Sequence, residues 1–291
     1  MSITFLLVTL FLGAAVAPVG ASALSPATRS TVDSLIRVAY ARGVDSLAIG
    51  ERVGRIGRAL DGTPYLEGTL EGPGPEVCRI TTQGFDCVTF MEFSLDLARI
   101  VRRDTTGGRP TADDLRREIT RTRYRGGRLA GYASRLHYTS EWIADNVAKG
   151  VVEDVTPALG GVPFPLSLGF MSAHPASYPA LVADTALVDS MRAIEVRASA
   201  IPRTIVPRDR VTGIESQLRT GDLVAIATSI PGLDYSHTGL IYRDADGAAH
   251  FLHASSARRR VMLDQRIGEY IARSAKSVTG ITVLRPVRDS R

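Results

Sequence analysis

The stretch Gly84-Phe-Asp-Cys-Val-Thr-Phe-Met-Glu-Phe-Ser-Leu-Asp-Leu-Ala-Arg-Ile-Val-Arg-Arg103 carries a strong helical pattern. From Cys87 to Val101, apolar and small residues recur at helical spacing, which predicts a core-facing helix that ends at Arg102-Arg103. Asp86 is a good N-cap, so Cys87 would lie in the first turn. Free amides and the helix dipole lower the pKa of a thiol at that position. The stretch therefore predicts a reactive cysteine, the alternative being a small buried residue on the helix face.

Around this helix the chain divides into a helical half and a strand-rich half. Residues 27–60 predict two short helices broken near Gly43, and residues 112–122 predict another helix. Strand patterns follow residue 220, at 222–227, 237–243, 249–254 and 280–284. This order predicts an α+β fold in one domain over residues 24–291, with roughly 104–200 as a helical and loop insertion that forms one wall of a cleft.

Two histidines in neighbouring strands are candidates for the base that a cysteine nucleophile needs. His237 and His253 flank the turn Asp244-Ala-Asp-Gly247, which predicts a hairpin. Direct pairing of the two histidines centres that turn on residue 245, so it requires an odd-length loop or a bulge at Gly247. His250 would then point to the other face and take no part in catalysis.

Cys87, His237 and His253 together could form the nucleophile, base and orienting group of an acyl-transfer site. Two structural alternatives remain: satisfied core histidines, or a zinc site built from the same three side chains. A structural zinc site would lack its fourth ligand. We therefore predict no metal and no cofactor.

Composition predicts a folded protein, and the N-terminal segment predicts that it works outside the cytoplasm. The chain has 291 residues, 44% hydrophobic and 22% charged, which excludes a disordered protein. Its basic residues are scattered arginines, so we expect no nucleic-acid partner. Residues 3–16 are mostly apolar and precede Ala21-Ser-Ala23, which predicts a signal peptide over residues 1–23 and a periplasmic or secreted protein. After its removal we expect a monomer with no stable membrane insertion.

The chain contains two cysteines, Cys78 and Cys87, in a compartment where disulfides can form. One interpretation is a bridge that closes a short loop. We favour free thiols instead, because a structural bridge would consume the thiol at the helix N-terminus.

Five motifs in order resemble the NlpC-type papain-like cell-wall hydrolases. They are Leu60-Asp-Gly-Thr-Pro-Tyr65, Gly84-Phe-Asp-Cys-Val-Thr-Phe90, Gly221-Asp-Leu-Val-Ala-Ile226, Ser236-His-Thr-Gly-Leu-Ile-Tyr242 and Phe251-Leu-His-Ala254. The fuller pattern, with Tyr65-Leu-Glu-Gly-Thr-Leu-Glu71, Arg135-Leu-His-Tyr138 and Trp142, resembles the N-acetylmuramoyl-L-alanine amidase-like branch. The resemblance implies a papain-like fold in which the nucleophile helix packs on an antiparallel sheet.

The resemblance also implies roles for individual residues. Cys87 would be the nucleophile, His237 the general base and His253 the group that orients it, while Tyr65 and the Cys87 amide would hold the oxyanion. Asp86 would cap the helix, with contact to a substrate amine as the alternative. For five further residues of the branch pattern, substrate contact and wall structure both remain open: Glu67, Glu71, Arg135, His137 and Trp142.

The expected activity is cysteine-dependent hydrolysis of an amide in peptidoglycan or muropeptides. The branch favours the bond between N-acetylmuramic acid and L-alanine, and the wider group favours the γ-D-glutamyl bond to the diamino acid. Other interpretations are a non-catalytic peptidoglycan-binding module and a papain-like acyltransferase.

Overall fold

The computed structural model describes residues 24–102 and 108–288. The predicted signal peptide at 1–23 lies outside the described residues. The helices are α1 Pro26–Ala41, α2 Ile49–Ala59, α3 Cys87–Ile100, α4 Ala112–Arg123, α5 Thr139–Ala148, α6 Phe170–Ala173, α7 Pro179–Ala183, α8 Ala186–Ser199, α9 Val211–Ile214 and α10 Ile267–Arg273. The strands are β1 Val152–Asp154, β2 Val162–Pro163, β3 Thr204–Pro207, β4 Leu223–Thr228, β5 Tyr235–Arg243, β6 Ala249–Ser255, β7 Arg260–Arg266 and β8 Val278–Pro286.

All strand pairs in the described residues are antiparallel. The sheet order is β2-β3-β8-β4-β5-β6-β7, and β1 also pairs with β8. Helices α2 and α3 pack on one another and against β5. This arrangement of helices on an antiparallel sheet confirms the predicted α+β class.

Helix α3 is the central helix of the structure. Each of its residues from Thr89 to Arg99 is buried, so it has no solvent-facing side and is held by packing on all sides. A capping box at Asp86 starts it: the Thr89 amide donates to the Asp86 carboxylate at 2.7 Å, and the Asp86 amide donates to the Thr89 hydroxyl at 2.9 Å. The first turn, which carries Cys87, is thereby fixed.

The sheet is buried on both faces, because alternate residues of its strands enter different clusters. Leu223, Ala225 and Ala227 of β4 belong to the cluster that contains α2 and α3. The intervening Val224 and Ile226 belong to the cluster that contains α9 and α10. A strand buried on both faces cannot slip by one residue without burying the wrong side chains.

The segment predicted as an insertion, roughly residues 104–200, contributes side chains to two different hydrophobic clusters. Helix α4 packs on α3 and contributes Leu115 and Ile119 to the main core. A separate small cluster joins Tyr138, Met171 and Met191 farther along the segment. In the described residues, no helix has the length and apolar character that crossing a membrane requires.

Candidate active site

Cys87 is the first residue of α3 and is partly exposed. Burial of the thiol and the neighbouring Asp86 carboxylate raise the pKa of Cys87 to about 11, while hydrogen bonds from Thr238 and Val88 act in the opposite direction. The prediction of a lowered thiol pKa was therefore wrong. Loss of solvation and a capping carboxylate, both of which disfavour a thiolate, outweigh the amides of the helix end.

Strand β5 is tied to the start of α3 by Thr238, whose hydroxyl donates to the Cys87 carbonyl at 2.9 Å. The register between β4 and β5 shifts opposite Tyr235–His237, where Ile226 pairs with His237 and Ala227 pairs with Tyr235. Bulges of this kind re-aim side chains at the end of a strand. The hydrogen bond from Thr238 to Cys87 places the strand segment that carries His237 directly beside the cysteine.

His237, His253 and Asp264 form a chain of hydrogen bonds. The His237 Nε2 and His253 Nδ1 atoms are 2.7 Å apart, and His253 Nε2 lies 3.3 Å from the Asp264 carboxylate. Because the carboxylate can only accept a hydrogen bond, His253 Nε2 carries the hydrogen and donates it, and His253 Nδ1 accepts from the N–H of His237 Nε2. The remaining nitrogen of His237, Nδ1, is then unprotonated and able to accept a proton.

The hairpin register differs from the predicted one. Leu240 pairs with Leu252 and Arg243 pairs with Ala249, so the turn is centred on residue 246 instead of 245. The loop has the predicted odd length, and both histidines keep the same face, but His253 lies opposite Gly239 and reaches His237 diagonally. The prediction that His253 pairs directly with His237 was therefore wrong, because the residue opposite His253 is two positions farther along β5.

Gly239 leaves the space that this diagonal contact needs. A Cβ at this position would lie 2.6 Å from the Phe251 ring and 2.9 Å from the His253 Cβ. The Phe251 ring stacks on the His253 ring at 4.6 Å, and Tyr270 of α10 lies edge-on to the same imidazole at 5.2 Å. The His253 ring is thus held in place by packing as well as by its two hydrogen bonds.

Both imidazoles are neutral at physiological pH. Burial, with a smaller contribution from His253, lowers the pKa of His237 to about 3. Burial also lowers the pKa of His253, and the Asp264 carboxylate partly offsets that effect. The resting site therefore holds a neutral thiol and two neutral imidazoles.

Tyr65 lies beside the cysteine. Its amide donates to the Arg259 carbonyl at 2.9 Å, and it forms a bridge with Phe85 just before α3. Burial and the charges of Cys87 and Asp86 raise the pKa of Tyr65 to about 12. The phenol keeps its proton at neutral pH and can donate a hydrogen bond.

The remaining predicted residues lie at different depths. Glu67 is exposed. Arg135 is 4% exposed, forms an ion pair with Glu71, and donates to the Leu70 carbonyl at 2.9 Å. His137 bonds the Tyr132 carbonyl through Nε2 at 2.9 Å, and burial lowers its pKa to about 3.

Trp142 is buried on α5. Its indole N–H donates to Glu92 at 3.2 Å, and the other Glu92 oxygen accepts from Arg123 at 2.8 Å. Because the polar atoms of Trp142 and Arg135 are used within the protein, these contacts favour wall structure over substrate contact.

Sequence reasoning missed Asp264. Strand β7 was not predicted, because its inner part, Met-Leu-Asp-Gln, has no clear alternation. The available signal was a carboxylate eleven residues after His253, which is within reach of a short antiparallel return. His250 bonds Asp244 at 3.0 Å and the Asp264 carbonyl at 2.8 Å, so its ring is separately engaged.

Both cysteines are free, so the structure does not contain the alternative bridge. The Cys78 sulfur is buried in the core and lies 3.9 Å from the Arg116 carbonyl. Within residues 24–102 and 108–288, no group of three His, Cys, Asp or Glu side chains has an arrangement that could hold a metal ion.

Comparisons with known proteins agree with the motifs. The family described as N-acetylmuramoyl-L-alanine amidase-like matches residues 55–281. No curated protein matches the chain. An N-acetylmuramoyl-L-alanine amidase from Bacteroides uniformis, solved at 1.07 Å, is 30% identical with a TM-score of 0.75, over 82% of this chain and 99% of that chain.

Two other solved structures are similar. A Bacteroides fragilis protein, named provisionally as a xylanase, is 36% identical with a TM-score of 0.72, over 79% of this chain and 98% of that chain. A Legionella pneumophila protein at 20% identity and a TM-score of 0.66, over 90% of this chain and 96% of that one, shares the fold. With the family match over most of the sequence, these relatives show that the chain belongs to the N-acetylmuramoyl-L-alanine amidase-like family.

Proposed function

We propose that the protein is a cysteine-dependent amidase with a papain-like site, which cleaves the bond between N-acetylmuramic acid and L-alanine outside the cytoplasm. The observation that carries this proposal is the chain His237–His253–Asp264, whose first strand, β5, is hydrogen-bonded to the start of α3 through Thr238. The chain leaves the Nδ1 atom of His237 as the acceptor for the thiol proton. A base oriented by a second group beside a thiol is the arrangement of acyl-transfer sites.

In the proposed cycle, the Cys87 sulfur attacks the amide carbonyl carbon as its proton passes to His237 Nδ1. The Cys87 amide and the Tyr65 hydroxyl donate to the oxyanion. The C–N bond then breaks, the amine leaves with the proton from His237, and a thioester remains on Cys87. Water attacks the thioester after His237 removes its proton, which releases the carboxylic acid and restores the thiol.

The Asp264 carboxylate stabilises the imidazolium that forms transiently on His237, acting through His253. This contribution matters because the His237 imidazole is neutral in the resting site and must become charged during each turn of the cycle. The carboxylates of Asp86 and Asp264 are both engaged within the protein, so these two do not form the free pair that glycoside hydrolysis requires. Asp86 accepts two hydrogen bonds from Thr89, and Asp264 is bonded to His253.

Mass analysis of a defined disaccharide–peptide after incubation tests the proposal. Cleavage of the lactyl amide separates the sugar from the whole peptide. Cleavage at the γ-D-glutamyl bond leaves a dipeptide on the sugar, and that result would establish the alternative endopeptidase activity. Binding without any product would instead support a non-catalytic module, and transfer to an added amine would indicate an acyltransferase.

A further inference from the structure

The turn between β6 and β7, together with the first residue of β7, carries three consecutive exposed arginines, Arg258, Arg259 and Arg260. Within the part of the chain that the structure describes, none of the three pairs with a carboxylate. Unpaired guanidinium groups in a row give this turn a positive potential that attracts anions. We call Arg258–Arg260 the arginine turn.

Arg259 is held in an unusual backbone conformation. Its φ is +57°, and it is the only non-glycine residue in residues 24–102 and 108–288 with a positive φ. Its carbonyl accepts a hydrogen bond from the Tyr65 amide at 2.9 Å. Two residues later, the Val261 amide donates to the Thr63 carbonyl at 2.7 Å and the Val261 carbonyl accepts from the Gly62 amide at 2.9 Å. Glycine would adopt this conformation without strain, so an arginine here carries a cost in backbone energy.

The Arg259 side chain lies over the ring of Tyr65, a residue of the candidate active site. The guanidinium carbon lies 5.4 Å from the centroid of the Tyr65 ring, in a cation–π arrangement. The same tyrosine lies close enough to Cys87 and Asp86 for their charges to raise its pKa. Tyr65 is therefore flanked by the thiol and by the guanidinium.

A guanidinium stacked on a ring keeps the N–H groups at its edge free. Those groups match the two oxygens of a carboxylate in a bidentate pair. The contact with the Tyr65 ring limits the positions open to the guanidinium before binding, which reduces the ordering cost of binding.

We infer that Arg259 binds a free carboxylate of the peptide whose amide is cleaved, and so selects acidic over amidated substrates. This inference rests on the proposed function, and it adds the class of substrate that the site prefers. Peptides with carboxamides in place of those carboxylates present a neutral group to the same guanidinium and bind less well.

The test compares two disaccharide–peptides that differ only in free or amidated stem carboxylates. For the wild-type protein we expect kcat/KM to be at least about 10-fold higher with the free carboxylates. The reason is that the amidated peptide loses the charged hydrogen bonds between the guanidinium and a carboxylate. Arg259→Gly should reduce this preference to within about 2-fold while the melting temperature stays the same or rises. Since glycine relieves the positive φ, a folding defect cannot explain that result.

Two further variants sharpen the comparison. Arg258→Ala removes a neighbouring charge of the arginine turn and should keep the preference. Arg259→Lys keeps a charge without the planar fork and should give an intermediate preference. Equal rates for both substrates with the wild-type protein, or an unchanged preference in Arg259→Gly, would overturn the inference.

The same comparison separates this inference from the proposed function. If neither peptide is cleaved, the amidase proposal fails, and titration of the two peptides into the Cys87→Ala variant then measures the carboxylate preference by binding alone. A difference in dissociation constant of about 10-fold would support the role of Arg259 independently of turnover, and equal constants would refute it.

Discussion

Replacement of Asp264 by asparagine tests whether the chain of hydrogen bonds supports catalysis. Asparagine keeps the size of the side chain and can still accept the His253 N–H, but it removes the negative charge. A hydrogen bond to a charged group contributes about 1.5–3 kcal/mol. The distance of 3.3 Å and the 25% exposure of the Asp264 side chain place this contact in the lower half of that range. We therefore expect kcat to fall by about 13- to 45-fold, at about 1.36 kcal/mol for each tenfold change.

The loss should appear in kcat, because the carboxylate is needed most when His237 becomes an imidazolium. Asp244→Asn provides a matched control: Asp244 bonds His250 at 3.0 Å at the same hairpin, and its loss should change kcat by less than about 2-fold. Initial rates of amide release from a defined muropeptide measure both variants. A loss below about 3-fold in Asp264→Asn, or an equal loss in the control, would refute the reasoning.

Three further predictions concern the thiol, the hairpin and the wall. At pH 7, alkylation of Cys87 by iodoacetamide should be about 100-fold slower than for a thiol with the ordinary pKa of 9.0, because only the thiolate reacts. The alkylation rate should rise about tenfold for each pH unit up to pH 9. Peptide mapping measures the rate, and a plateau near neutral pH would contradict the prediction. In Gly239→Ala, the new Cβ would lie 2.9 Å from the His253 Cβ. Urea denaturation should therefore show a free energy of unfolding lower by about 1–3 kcal/mol, and activity should fall. Full stability and activity would argue against the tight contact. Trp142→Phe should lower the free energy of unfolding by about 1–3 kcal/mol, because a Glu92 oxygen loses its donor. The same variant should keep KM within about 2-fold of the wild-type value. A raised KM at unchanged stability would instead indicate substrate contact.

The sequence was sufficient to predict α3, β5 and β6, because each carries its own periodic pattern and a motif at its start. The cap at Asp86 and the odd-length loop between the histidine strands followed from local turn and helix rules. Cys87 lies on α3 and His237 on β5, and both of these elements could be predicted without tertiary information.

Other features depend on packing between distant segments and could not be derived from local patterns. The pKa of Cys87 is set by how deeply the thiol is buried, which no spacing reveals. The diagonal contact of His253 depends on a two-residue difference in register, and it is possible only because Gly239 lies opposite. Asp264 enters the site through a strand whose sequence lacks clear alternation, so its role became visible only with the sheet.

Turnover of a defined disaccharide–peptide by the Cys87→Ala and Cys78→Ala variants tests the central claim most directly. Each substitution removes one sulfur, but only Cys87 lies at the start of α3 beside β5. If Cys87 is the nucleophile, Cys87→Ala loses amide cleavage completely while it still binds substrate, and Cys78→Ala retains cleavage. Cleavage by Cys87→Ala at a rate close to that of the wild-type protein would contradict the account.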